Sequence, residues 1–130
     1  MIVLDASAAV EWLLQSTTGA KIDRRLFSTA NSLHAPHLLD VEVAQVMRRH
    51  VRDNSITARR GADALEDLRS LGINMHSHDL LMSRIWELRA TLTAYDAAYV
   101  ALAELLDSPL LTCDRKIAGA PGHNANVEVM

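Results

Sequence analysis

The sequence predicts a three-layer α/β/α sandwich with a central parallel sheet of four to five short strands. Ile2-Val3-Leu4 and Leu110-Leu111-Thr112 are short apolar runs without polar alternation, as expected of strands covered on both faces. Such runs alternate with stretches of helical periodicity. No hairpin signal joins neighbouring strands, so helical crossovers must connect them.

The first strand ends at Asp5, and a helix is expected from Ala8 to Leu14, with Val10, Trp12, Leu13 and Leu14 as its apolar positions. Ser16-Thr17-Thr18-Gly19 is read as its terminator. A second helix follows from Ala20 to Ala30, carrying Ile22, Leu26 and Phe27. Leu33-His34-Ala35 is read as a strand, because the residue before Pro36 is pushed toward extended geometry. A long helix from Leu38 or Leu39 to Val51 repeats Leu39, Val43, Val46, Met47 and His50 along one side, with Glu42 in its first turn. Asp53-Asn54-Ser55 breaks the chain. Thr57 to Leu71 is the next helix and Gly72 closes it.

Ile73 to His76 supplies a third strand, and Leu80 to Leu92 a fifth helix. Thr93 to Glu104 opens on a Thr-x-x-Asp signature and continues in small residues that permit close packing on a sheet. Pro109 ends that segment before the Leu110–Thr112 strand. A short helix is expected over Arg115 to Ala118, a turn to Gly122, and a last edge strand over Asn126 to Met130. Without repeats or linkers, residues 1–130 are expected to form one domain with one core.

Hydrophobic residues make up 49% and charged residues 22%, which excludes a disordered or low-complexity chain. Aromatic residues are only 4%, so the core must be built from Leu, Val, Ile and Ala. A single cysteine, Cys113, rules out an internal disulfide and fits a reducing compartment. Asp5 interrupts the opening apolar run, and no apolar span is long enough for a membrane helix; a soluble, cytoplasmic protein is expected. The net charge of −3 argues against nucleic-acid binding only weakly, because the sum hides where the charges lie. Eleven of the thirteen basic residues are arginine, several in clusters: Arg24-Arg25, Arg48-Arg49 with Arg52, and Arg59-Arg60. Arginine suits forked contact with phosphate, although such clusters are as often solvated helix faces.

Four acids recur in one kind of place. Asp5 and Asp114 end strands, whereas Glu42 and Asp96 open helices. In a right-handed parallel sheet, strand carboxyl ends and the amino ends of the following helices share one edge, so the four can converge. Each also has a structural reading: Asp5 or Asp114 as a helix cap, Asp96 as the acid of a capping box with Thr93, Glu42 as complement to a helix dipole. Crowded together, four carboxylates repel and need protons or cations. Mg²⁺ or Mn²⁺ takes oxygen ligands and leaves room for phosphate; such ions lower the pKa of a water and steady attacking and leaving oxygens. Phosphodiester hydrolysis suits this set better than acyl transfer. No Gly-x-Ser-x-Gly elbow, Walker loop or dinucleotide glycine fingerprint is present.

With these residues in place, the chain resembles the PIN-domain ribonucleases, specifically the VapC-type toxins of toxin–antitoxin systems. The resemblance is carried in order by Ile2-Val3-Leu4-Asp5-Ala6-Ser7, Pro36-His37-Leu38-Leu39-Asp40-Val41-Glu42-Val43, Tyr95-Asp96-Ala97-Ala98-Tyr99-Val100-Ala101-Leu102-Ala103 and Leu110-Leu111-Thr112-Cys113-Asp114-Arg115-Lys116. It implies a Mg²⁺-dependent endoribonuclease, in which Mn²⁺ can substitute. Asp5, Glu42, Asp96 and Asp114 would be the catalytic acids, with Asp5, Asp96 and Asp114 on the metal and Ser7 and Thr112 as hydroxyl support. Arg48, Arg49, Arg52, Arg115 and Lys116 are candidates for contact with RNA. A homodimer and a cognate VapB-type antitoxin that covers the cleft are also implied. Two departures stand out: Gln45 replaces an asparagine common after the helix glutamate, and Arg115-Lys116-Ile117 offers no further acid after Asp114. A site holding one metal tightly follows from the second.

Other readings of the same residues remain. Asp40 is read as an amino-terminal helix cap. His76-Ser77-His78 lacks partners at zinc-finger spacing, and Cys113 is read as an inert buried thiol. Tyr95 and Tyr99 stand one turn apart and are read as packing rather than base stacking. A catalytically silent RNA- or antitoxin-binding module keeps the same acids. A receiver-like signalling domain would need an acidic pair before its phosphoacceptor strand and a lysine at a late strand end, whereas this chain has only Lys21 and Lys116.

Overall fold

The structure, a computed structural model, describes residues 1–130. The predicted runs become five strands: β1 (Ile2–Leu4), β2 (Leu33–Pro36), β3 (Asn74–His76), β4 (Leu110–Thr112) and β5 (Val127–Val129). They form one sheet in the order β3-β2-β1-β4-β5, and every neighbouring pair is parallel. Val3 pairs with His34 on one side and Leu110 on the other, which places β1 at the centre. Ile2, Val3, Leu4, Leu110 and Leu111 are fully buried, as a sheet covered on both faces requires. From β1 the chain first steps outward to β2 and β3, then returns past β1 to β4 and β5. The connections therefore diverge between β1 and β4, and a crevice opens beyond their carboxyl ends.

The helices are α1 (Ala6–Leu13), α2 (Thr17–Phe27), α3 (Leu38–Arg52), α4 (Ala58–Ser70), α5 (Met82–Glu87), α6 (Ala94–Leu105) and α7 (Arg115–Gly119). Helix α6 packs against β1, β2 and β4, and its small residues Ala97, Ala98, Ala101 and Ala103 are buried there. Helix α1 packs against α2, α3 and β4. No helix is long and apolar enough to cross a membrane.

Three local expectations are corrected. Ser16-Thr17-Thr18-Gly19 starts a helix rather than ending one: the Ser16 hydroxyl accepts the Gly19 N–H (2.9 Å) as an amino-terminal cap. Gly19 lies inside α2 because α1 crosses it closely. A Cβ there would sit 2.1 Å from the Glu11 carbonyl oxygen and 3.2 Å from Trp12 Cα. The expected helix over Leu80 to Leu92 is helical only from Met82 to Glu87, after which the chain turns into the Thr93 cap of α6. Arg89 donates to the Trp86 carbonyl (2.8 Å) and Thr91 to the Pro121 carbonyl (2.9 Å), which holds that turn away from the helical path. Asp40 is not a cap. It lies exposed in the first turn of α3, whose cap residue is His37; the Leu38 N–H instead donates to His78 Nε2 (3.1 Å).

Two arginine clasps hold the later strands. Arg25 of α2 forks onto Glu128 of β5 (2.7 and 2.8 Å). Arg84 of α5 forks onto Glu104 of α6 (2.7 and 3.0 Å), and Glu104 Oε1 also accepts the Asn124 N–H (2.8 Å). The Arg84 guanidinium, helped by Asn124, holds the Glu104 carboxyl below its usual 4.5. A depressed carboxylate stabilises the fold above the unfolded-state value, and that contribution is lost as pH falls through the folded-state value. The stability difference between wild type and Glu104→Gln is therefore expected to be full at pH 7 and to shrink below about pH 4.5. Urea melts of both proteins from pH 7 to pH 3 measure this, and a difference independent of pH counts against the clasp.

Candidate active site

Asp5 follows β1 and is nearly buried, at 5% exposure. It stands at the cap position of α1, but its side chain caps nothing. Its Oδ2 instead accepts two hydroxyl protons, from Ser7 (2.6 Å) and from Thr112 at the end of β4 (2.6 Å). Both hydroxyls are tied to the backbone in turn. Ser7 Oγ accepts the Cys113 N–H (2.9 Å), and Thr112 Oγ1 accepts the Asp114 N–H (3.0 Å). With both hydroxyl protons directed at Asp5, the 3.2 Å approach between Ser7 and Thr112 needs no hydrogen bond of its own. The network joins the carboxyl ends of β1 and β4 and leaves Asp5 Oδ1 without a protein partner. Buried polar groups are normally satisfied in this way.

The other acids come from neighbouring elements. Asp96 lies in the first turn of α6, where its N–H donates to Thr93 Oγ1 (3.1 Å). Asp114 caps α7, its Oδ1 accepting the Lys116 N–H (2.9 Å). Glu42 is half-buried and lies one turn further into α3 than expected. Burial, then the charges of Asp5 and Asp96, push the Glu42 carboxyl above its ordinary value, against the opposing bond from Tyr99. Asp96 is likewise raised, by burial first and then by the charges of Asp5 and Asp114. The four acids thus share one edge and repel one another across it. They do not stand on opposite rims of the sheet.

Those repulsions suit a hard cation. No three Asp, Glu, His or Cys side chains form a ready-made ligand cage. Mg²⁺ does not need one, because it keeps several waters and is commonly held by one or two carboxylates plus substrate phosphate. The oxygen-only donor set fits such an ion, with Asp5, Asp96 and Asp114 as the residues that would hold it.

The basic candidates separate into two groups. Arg115 and Lys116 follow Asp114 in the first turn of α7, and the Lys116 charge acts on Asp96 in the direction opposite to burial. Arg48, Arg49 and Arg52 are exposed toward the far end of α3, roughly 9 to 15 Å along the helix from Glu42 at 1.5 Å per residue. Arg25 and Arg60 are structural; Arg60 donates to the Leu13 carbonyl (2.7 Å). Three of the histidines are tied internally: His34 Nδ1 pairs with His76 Nε2 (2.9 Å), and His78 Nε2 accepts the Leu38 N–H. Cys113 is partly buried and its thiol is raised, chiefly by burial, as an unreactive thiol should be.

Tyr99 contributes more than packing. Its ring is fully buried, and its hydroxyl donates to Glu42 Oε1 (2.8 Å). Burial, then the Glu42 charge, hold the phenol far above its ordinary value, so it keeps its proton. Tyr99 follows Asp96 by three residues and so shares its helix face, and a buried phenol needs a partner, but nothing local names Glu42 as that partner.

A strand-end aspartate at the divergence of a parallel sheet, joined by acids from two helices and a second strand end, defines an acid-edged α/β domain. The chain belongs to the PIN-domain family, whose family model matches residues 2–122. Its curated relatives are of the VapC type. Ribonuclease VapC12 of Mycobacterium tuberculosis is 42% identical over 130 residues, covering 100% of this chain and 99% of that protein. Ribonuclease VapC9 of the same species is 42% identical over 118 residues, covering 91% of this chain and 89% of that protein. The solved structure of VapBC2 from Rickettsia felis bound to a promoter DNA fragment shares the fold, with a TM-score of 0.73 at 14% identity over 100% of this chain and 99% of that one.

Proposed function

We propose that the chain is a Mg²⁺-dependent endoribonuclease, with Mn²⁺ able to substitute, acting as the toxin of a toxin–antitoxin pair. In this reading it cuts cellular RNA in the cytoplasm and halts translation and growth until a VapB-type antitoxin covers the acid edge, and the active form is a homodimer. The observation that carries it is the gathering of the acids at one end of the sheet: Thr112 links Asp5 to the Asp114 amide, and Asp96 shares its helix face with Tyr99, which holds Glu42. The ribonuclease names of relatives that match this chain along its whole length support the same activity.

A bound divalent ion supplies the positive charge that makes a water nucleophilic near neutral pH and balances charge on the scissile phosphate. Asp5 is presented by Ser7 and Thr112, which occupy Oδ2 and leave Oδ1 free. Glu42 holds Oε2 free as the place where the attacking water leaves its proton, because Tyr99 occupies Oε1. Lys116, whose charge acts on Asp96, and Arg115 beside it would take the phosphate next to the cut. The acids do not line the concavity around Arg84, Glu104 and Asn124, and an open edge suits a polymer strand better than a small molecule.

Millimolar Mg²⁺ or Mn²⁺ is expected to raise the melting temperature, since a ligand that binds only the folded state stabilises it by about 2.7 kcal/mol at a hundredfold excess over Kd. The same ions are expected to be required for cleavage of a labelled RNA, and chelation should abolish it. Calorimetry across a metal titration, run beside the cleavage assay, tests both. An unchanged melting temperature together with full cleavage in chelator would overturn the proposal.

A further inference from the structure

Resting on that reading, we infer that Tyr99 is a positioning residue for Glu42: its buried hydroxyl fixes one carboxylate oxygen so that the other faces the reacting groups. Two observations carry this. The ring is fully buried in α6, so the hydroxyl has almost no freedom to move. Its bond to Glu42 Oε1 is 2.8 Å, an ordinary O–H to oxygen distance, and no other side chain donates to Glu42.

Through that oxygen the second turn of α3 and the first turns of α6 are held together. Glutamate has three rotatable side-chain bonds, and an unpinned Glu42 would sample rotamers that carry its carboxylate off the acid edge. A tyrosine has two, and here both are locked by packing. Helix α6 therefore serves the site twice, directly through Asp96 and indirectly through Tyr99 one turn later.

Tyr99→Phe removes only the hydroxyl. With RNA and Mn²⁺ saturating, its kcat is expected to fall about tenfold to a hundredfold, the loss of one hydrogen bond to a charged group, with KM unchanged. Val100→Ala, an apolar truncation in the same helix, serves as control: it should lower the melting temperature and leave kcat as in wild type. A kcat that tracks lost stability equally in both variants overturns the inference, as does wild-type kcat in a folded Tyr99→Phe.

A second measurement does not depend on that variant folding. In the wild-type protein the Tyr99 hydroxyl proton should appear by NMR as a slowly exchanging downfield signal that disappears in Glu42→Ala, which leaves no acceptor. Absence of such a signal, or its persistence unchanged in Glu42→Ala, overturns the assignment. If the wild-type chain cleaves no RNA, the ribonuclease reading fails, while the NMR result still decides whether Tyr99 holds Glu42.

Discussion

Asp5→Asn is expected to lower RNA cleavage by about a thousandfold or more while leaving the fold intact. In the proposed mechanism several kcal/mol of charge stabilisation at the phosphate would depend on a cation held by this edge, and each 1.36 kcal/mol is tenfold in rate. The asparagine oxygen can still accept from both Ser7 and Thr112, so the hydroxyl network that joins β1 to β4 survives. What disappears is one negative charge beside Glu42 and Asp96. Both of those carboxyls are raised, mainly by burial and partly by the Asp5 charge. A raised acid binds its proton more tightly in the folded state, so metal-free stability falls as pH climbs from the ordinary carboxylate range through the raised values. Asp5→Asn should flatten that decline, and at pH 7 in chelator it should melt no lower than wild type. Sequencing of RNA ends after induction of each form, with calorimetry of the purified proteins, reads both effects. Wild-type cleavage by a folded Asp5→Asn would remove the aspartate from the mechanism.

Gly19→Ala is expected to cost about 3 kcal/mol or more, a drop in melting temperature of about 10 °C, although alanine is the better helix former by about 1 kcal/mol. The two effects have opposite signs, which makes the sign itself decisive. The added methyl would meet the Glu11 carbonyl at 2.1 Å and its carbon at 2.8 Å, and both are backbone atoms that cannot rotate away. Helix α2 must then lift from α1, which carries Ser7 and begins beside Asp5. Denaturation by urea measures the loss, and an alanine variant as stable as wild type would show that the two helices are not held at this spacing.

These two positions also show how much of the molecule the sequence discloses. The strands were legible because Ile2-Val3-Leu4 and Leu110-Leu111-Thr112 are short apolar runs without alternation, each followed by an aspartate within two residues and a helix, as a doubly covered strand would be. The acids were legible because strand ends and helix starts fall on one edge of any right-handed parallel sheet. Gly19 was misread because a glycine after Ser-Thr-Thr has the composition of a helix end, whereas its role is set by a helix eight residues earlier. Asp40 was misread as a cap because the acceptor for Leu38 is His78, which lies 40 residues along the chain. Tyr99 was taken for packing because one turn of spacing from Tyr95 says nothing about a glutamate 57 residues away. In each case the deciding partner was brought in by tertiary folding, beyond the reach of local pattern.

The central strand is the earliest of the five in chain order, yet one of its two neighbours is the fourth. Thr112 joins Asp5 across 107 residues of chain, so a polypeptide interrupted anywhere before β4 has an opening strand with an unpaired flank and an aspartate lacking one of its two hydroxyl donors. A chain lacking β4 therefore cannot complete the acid edge, whatever it retains of β1 and α1.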